Sequence, residues 1–515
     1  MVAAQDLTVT SLRNWSRLRN FLVCAIFAVV VWVLSDASLS RGLTSSILLV
    51  LGLILVGLCT LIFWRPVIGL YTGVLLNIAM DGQVPGDPIS KYTAYFHENL
   101  NTFAHAGVAF SPLELLFAVT TLAYLLRTAS GMRLQGGTLA KPVLVFGLFL
   151  AFGFVWGFSH GGDWKIGLFE ARGPFLLVML YFLVTNLIRD ERQLAHLLTA
   201  LETGLGILSA WTTFRLFVFL HGHSGGADGA LGVNHEDAVF LGYYAVICLL
   251  RMVSPGSRKR PFLLLMALLS VVLMLEMQRR AASVCLVMAL VVLAIVLFYR
   301  RRHLFLRLAP IAALLIVLYC GAFWNSNSTW AQPIRAIRTS SASSSVNARD
   351  NSSDLYRVAE KANVRDTIKA GPLTGVGFGR KYLETHPVMH FADFQFQFYT
   401  PHAEVLWIWL KIGAVGFAAF WVLVCLALMR AGSLISRLGT APLGFSCLVG
   451  ILYVAMLLTF SYVDIGLANI RCEMMLGTAL GIVGTATDLW RRQAISRRPS
   501  SASRLGSSSR FVIHS

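Results

Sequence analysis

The chain has 515 residues, 56% of them hydrophobic and only 13% charged, where a soluble domain carries about 25% charged residues. That deficit excludes the string of soluble domains that length alone would suggest. The formal net charge of +18 would suit nucleic acid, but the Lys and Arg residues lie between apolar runs rather than along one face, which excludes that class of partner.

A membrane span needs about 20 apolar residues. The first run, 20–36, follows Arg13, Arg17 and Arg19; no small-residue cleavage site follows it, so it is expected to remain as an uncleaved first span. Further runs lie at 44–63, 66–80, 112–127, 142–159, 168–188, 195–219, 236–251, 261–276, 281–299 and 308–324. After a long polar interval come 403–429, 441–460 and 464–486. The expected fold is therefore all-α, a polytopic integral membrane protein of roughly 12–14 transmembrane helices. No internal repeat is evident. The eight cysteines lie in or beside apolar runs, without a CxxC pair, and read as small buried hydrophobes.

Alternate connections hold more than half of the 43 basic residues, including Arg127 to Lys141, Arg251 to Arg260, Arg300 to Arg307 and the tail. The opposite connections hold few: Arg41, Lys91, Lys165, Arg172, Arg215, Arg279, Arg280 and Arg471. This bias predicts both termini in the cytoplasm and the interval 325–402 outside. The expected organisation is an N-terminal transmembrane bundle (1–324), an extracytoplasmic loop with an amphipathic helix (325–402), C-terminal transmembrane helices (403–490) and a disordered basic tail (491–515) that contacts anionic lipid.

Within the loop, Thr339 to Ser353 is rich in Ser and Asn and reads as flexible. Leu355, Val358, Ala362 and Ile368 then recur at near-helical spacing, and Gly371-Pro372 stops the helix. A glycine-rich stretch, Gly375-Val-Gly377-Phe-Gly379, follows; no Lys-Ser/Thr comes after it, so it is not a nucleotide loop. Phe391, Phe394, Phe396, Phe398 and Tyr399 form an aromatic segment suited to interfacial anchoring or to sugar and lipid contact.

His402 stands where the loop re-enters the membrane, where a histidine can accept a proton near neutral pH or simply bond to water at a helix start. His386, His390 and His402 lie near Glu384, Asp393 and Glu404, but Pro387 breaks the helix that a His-x-x-x-His zinc pair needs, so no metal or other cofactor is assigned. Arg172, Arg215, Arg279 and Arg280 fall near outer span ends and Arg357 in the loop; they suit a phosphate ligand, or they snorkel or pair with carboxylates such as Glu170 or Glu276. Glu114 suits a helix dipole, Glu202 faces the inner half, and Asp464 and Arg471 have no evident role.

His402-Ala-Glu404, followed by Gly413-Ala-Val-Gly416, resembles the C-terminal motif of the O-antigen ligase and O-antigen polymerase superfamily of bacterial membrane glycosyltransferases. One position departs from it: Ala403 stands where that family usually has Asn, Ser or Gln. Tyr356-Arg357, the helix, and Gly371-Pro372-Leu-Thr-Gly375-Val-Gly377-Phe-Gly379 look like the block ahead of the family's histidine; Gln278-Arg279-Arg280 is similar to its Arg-rich span start. The resemblance covers roughly 165–430. It implies a GT-C-like, metal-independent, inverting transferase with no cofactor, located in the bacterial inner membrane. The implied donor is an undecaprenyl-diphosphate-linked saccharide, and the implied acceptor is a lipid A core or a growing glycan. It also implies that His402 is the catalytic base and that Gly375, Gly377, Gly379, Gly413 and Gly416 are structural; the implied diphosphate leaving group needs positive charge, for which Arg172, Arg215, Arg279 and Arg280 near outer span ends and Arg357 in the loop are the candidates. The loop Gly222 to Glu236, with His221 and His223 beside it, would shape the acceptor entry. A flippase of lipid-linked saccharides is the alternative, disfavoured because the charges cluster at span ends rather than at mid-membrane.

Overall fold

The computed structural model describes residues 57–80, 96–97, 110–129, 134–219, 235–254, 259–326, 328–331, 333–334, 348–390 and 396–496. The expected span 20–36, most of 44–63, His221 and His223, Phe391, Asp393, Phe394 and the tail beyond 496 lie outside these residues.

The described helices are α1 (Pro66–Ala79), α2 (Pro112–Ala129), α3 (Ala140–Ser159), α4 (Trp164–Leu187), α5 (Glu191–Phe214), α6 (His235–Val253) and α7 (Arg260–Glu276). They continue with α8 (Arg280–Arg300), α9 (Arg302–Phe323), α10 (Ala348–Ala370), α11 (Glu404–Leu438), α12 (Pro442–Ser461) and α13 (Ile470–Ser496). A π-helical turn, Arg215–Phe219, extends α5. No strand occurs among the described residues. The protein is an all-α polytopic membrane protein. Seven of its described helices are long and apolar enough to cross a membrane: α3, α4, α5 with its π turn, α8, α9, α11 and α12.

Local sequence sets the helix starts. Ser111 and Glu114 form a reciprocal capping box on α2, with Ser111 N–H donating to Glu114 Oε2 at 2.7 Å and Glu114 N–H donating to Ser111 Oγ at 3.2 Å. Asp163 accepts from Lys165 N–H at the head of α4, and Asp190 accepts from Gln193 N–H at the head of α5.

α12 and α13 are the central helices, buried along nearly their whole length, whereas α9 has no buried residue. An apolar helix that buries nothing in the protein faces lipid all round, while a helix wrapped by protein can carry polar groups. That explains why α13, with Arg471 and Glu473, falls short of the composition of a lipid-facing span. Glycines let α13 meet α4 closely: a Cβ at Gly477 would overlap the Leu177 backbone, and one at Gly481 would overlap Val184. At the end away from the loop, Arg300 donates to Ser436 O at 2.7 Å and Arg301 to Val253 O at 2.5 Å, capping the C-termini of α11 and α6.

Three expectations are corrected. The final helix begins at Ile470, leaving residues 462–469 as a loop, because the Asp464 and Glu404 carboxyl groups bind that loop's partners and its backbone N–H groups. The helix after the loop runs on to Leu438 but breaks at Gly413, whose φ of 71° and ψ of 178° are not helical. Leu355 and Val358 of α10 are exposed at 63% and 69%, whereas Ile368 is buried as expected, and the helix also buries Glu360, Asn363, Val364 and Thr367. Its inward face is largely polar because it packs on hydrogen-bonding backbone of the loop.

Candidate functional site

The ends of α3, α5, α7, α9 and α12 and the starts of α4, α6, α8, α11 and α13 meet at the loop end of the bundle. His402 lies there, two residues before α11, with its side chain 22% exposed. Its Nδ1 is 3.1 Å from Oε2 and 3.3 Å from Oε1 of Glu360, whose side chain is 2% exposed. The His402 backbone N–H donates to the same Oε2 at 2.9 Å. Tyr356 hydroxyl donates to Glu360 Oε1 at 3.2 Å, and its ring meets the imidazole edge-to-face at 5.8 Å. Burial, and then the Glu360 carboxylate, push the Tyr356 phenol well above its ordinary pKa, so it remains a donor at neutral pH. A carboxylate offers only acceptors, so Nδ1 is the donor in this contact, and in the neutral form of the ring Nε2 carries the lone pair.

Glu360 was not singled out from sequence. The signal available was its position four residues after Tyr356 and three after Arg357, which puts all three on one face of α10.

On the adjoining turn of α10, Arg357 Nη2 lies 3.7 Å from Asp464 Oδ2, and His235 Nδ1 lies 3.2 Å from the same oxygen. Burial alone would raise the Asp464 pKa; hydrogen bonding and charge from His235, with charge from Arg357, override it and hold the carboxyl well below the usual range. Asp464 thus ties α6, α10 and the α12–α13 loop together. It is also within electrostatic range of Cys285, in the first turns of α8, and of Glu404. Arg279 and Arg280, both half-buried, open α8 after Gln278, which adopts a left-handed φ of 52°. The buried Arg215 sits at the junction of α5 with its π turn.

Arg172 pairs with Glu114, its Nε 3.0 Å from Oε1, in place of the expected Glu170 or Glu276. Glu170 instead pairs with Lys411 at 2.7 Å, both side chains wholly buried. Arg471 pairs not with Asp464 but with Asp237 at 2.8 Å and Glu236 at 3.3 Å. His386, His390 and His402 each face a different carboxylate, namely Asp366, Glu384 and Glu360.

The glycine stretch packs by backbone. Gly375, Gly377 and Gly379 all have positive φ. Val376 N–H donates to Leu410 O at 2.7 Å, Phe378 N–H to Gly153 O at 3.1 Å and Gly379 N–H to Glu170 Oε2 at 2.6 Å. A Cβ at Gly377 would overlap Gly157 of α3, and one at Gly413 would overlap Leu373. The break at Gly413 therefore receives the stretch that begins at Pro372, and the two glycine motifs form one contact. Gly416 lies one turn beyond, where a Cβ would crowd the Ile412 side chain. Glu404, fully buried, accepts the backbone N–H groups of Gly466, Leu467 and Ala468 and so fixes the start of α11 against the α12–α13 loop.

Residues 243–421 match the family model described as O-Antigen ligase. That segment contains His402, Glu360, Arg279, Arg280, Arg357 and both glycine motifs; Arg172, Arg215, Asp464 and the first part of the range resembling that family lie outside it. No curated protein matches the chain.

Proposed function

We propose that this chain, a member of the O-antigen ligase/polymerase superfamily through residues 243–421, transfers a glycan from a polyprenyl-diphosphate carrier to a saccharide acceptor. The setting is the outer face of a bacterial inner membrane, with both termini cytoplasmic, as the distribution of basic residues suggests. The acceptor is a lipid A core sugar for a ligase or the end of another repeat unit for a polymerase.

The observation that carries this reading is the bonding of His402 Nδ1 to a buried carboxyl group, which leaves Nε2 as the base. Nε2 takes the acceptor hydroxyl proton as its oxygen bonds to the anomeric carbon. The bond from that carbon to the diphosphate oxygen breaks, and the carrier leaves as a diphosphate with inversion at carbon. Arg279 and Arg280 at the head of α8, with Arg357 and Arg215, supply positive charge to that leaving group, a task for which guanidinium geometry suits phosphate oxygens without a metal. Gly375 to Gly379 and Gly413 hold the loop against α3 and α11 so that His402 keeps its place.

Complementation with His402→Ala tests this. Mature surface polysaccharide should disappear while the protein persists on a blot and lipid-linked saccharide accumulates. Unchanged glycan would overturn the assignment.

A further inference from the structure

A cavity of about 340 Å³ opens beside the His402 segment, between the start of α4, the start of α13 and the stretch before α11. Thr400, two residues from His402, lies on one wall, and Arg172, Glu236 and Arg471 lie on the others. Its charges are already matched: Arg172 faces Glu114 at 3.0 Å, and Arg471 faces Asp237 at 2.8 Å and Glu236 at 3.3 Å. A diphosphate needs an excess of positive charge, which these pairs do not provide. Sugar hydroxyls both donate and accept, and a wall of fixed guanidinium and carboxylate groups offers both.

The same cavity has a flat apolar element. Phe169 and Phe396 stack with centroids 4.1 Å apart and planes 7° apart, and both line it. One face of a pyranose carries only C–H groups and packs on the outer face of such a pair, the inner faces being closed against each other, while its hydroxyl rim reaches the polar walls. The volume lies at the small end for ligand sites, which suits one sugar ring rather than an oligosaccharide.

We infer that this cavity is a pyranose-binding subsite, holding the sugar next to the transferred bond, from either the donor or the acceptor. The inference rests on the glycan-transfer reading. It gives Arg172 and Arg471 the task of meeting sugar hydroxyls beside Glu236, the carboxylate that lines the cavity, rather than binding diphosphate.

The test uses full-length protein in nanodiscs with Phe169→Leu, Phe396→Leu and, as a variant that keeps an aromatic face, Phe396→Trp. In a His402→Ala background, two probes are compared: bare undecaprenyl diphosphate, and the lipid-linked saccharide purified from the producing bacterium. A donor sugar in the cavity makes the saccharide probe bind more tightly, and the leucine variants weaken that probe alone by about tenfold while Phe396→Trp does not. An acceptor sugar leaves both affinities unchanged and instead raises the acceptor KM about tenfold in leucine variants that retain His402, with kcat kept. Equal weakening of both probes would make the cavity a diphosphate site and overturn the inference. So would leucine variants that change neither donor binding nor acceptor KM. Failure of the unsubstituted aromatic pair to bind either carrier would overturn the glycan-transfer reading and the subsite with it.

Discussion

Glu360 Oε2 accepts from the backbone N–H of His402 at 2.9 Å and lies 3.1 Å from its Nδ1, so one buried oxygen fixes both the main chain and the ring of the same residue. The other oxygen accepts from Tyr356, and no amide can reproduce this set of bonds: a glutamine has one acceptor oxygen where the site uses two. Glu360→Gln should therefore lower kcat by about 100-fold or more with the donor KM nearly unchanged, because the ring loses its orientation and tautomer while the binding groups remain. Glu360→Asp should recover part of the loss. Steady-state kinetics on reconstituted protein would decide it, and an unaltered kcat in Glu360→Gln would remove Glu360 from the mechanism.

Asp464 gives a pH signature. Its folded-state pKa is depressed, so its contribution to stability is present above the unfolded carboxyl pKa near 4 and is lost as pH falls towards the lower folded value. Asp464→Asn should be less stable than the parent at about pH 5, with the gap closing as pH falls below about 4. Thermal unfolding of both proteins across that range would measure it. A gap that widened on acidification would contradict the assignment, since it would require a carboxyl whose pKa is raised.

The buried Lys411–Glu170 pair predicts a non-additive double mutant. Lys411→Met leaves Glu170 uncompensated in an enclosed site and should destabilise by about 3–5 kcal/mol. Adding Glu170→Gln removes the stranded charge and keeps an oxygen for Gly379 N–H, so the double variant should recover most of that loss. Thermal unfolding in detergent, followed by tryptophan fluorescence, provides the comparison. A double variant as unstable as Lys411→Met would mean that the ion pair itself, rather than charge burial, supports the glycine stretch.

How much of this was legible in the sequence depends on the range of the interaction. Hydropathy located the helices, since each run of apolar residues encodes its own span, as in α8 and α12. The spacing from His402 to Gly413 and Gly416 pointed to the site because those residues are close in the chain. The partners of His402, Arg357 and Arg471 were not legible: Glu360, Asp464 and Asp237 are 42, 107 and 234 residues away and carry no periodic signal. The inward face of α10 was legible only in part, since Ile368 is buried but Leu355 and Val358 are exposed. Apolar periodicity marks the buried side only where the surface being covered is apolar, and this helix covers backbone and carboxylates.

Ala403 illustrates how a departure from a family pattern can be read physically. It occupies the N-cap of α11, with φ −85° and ψ 65°, and no side chain caps the helix there. The family this segment resembles usually has Asn, Ser or Gln at this position; of these, Asn and Ser are among the best N-cap residues, because their side-chain oxygen accepts a free N–H of the first turn. An Asn or Ser here would cap the helix, which Ala403 does not, while Glu404 binds the α12–α13 loop and does not replace the cap. Ala403→Ser should raise stability by about 0.5–2 kcal/mol and leave kcat within about twofold, since the His402–Glu360 contacts use other atoms. If Ala403→Ser instead raised kcat tenfold or more at unchanged stability, the residue after the histidine would have a part in the chemistry, and the two-residue site of His402 and Glu360 would be incomplete.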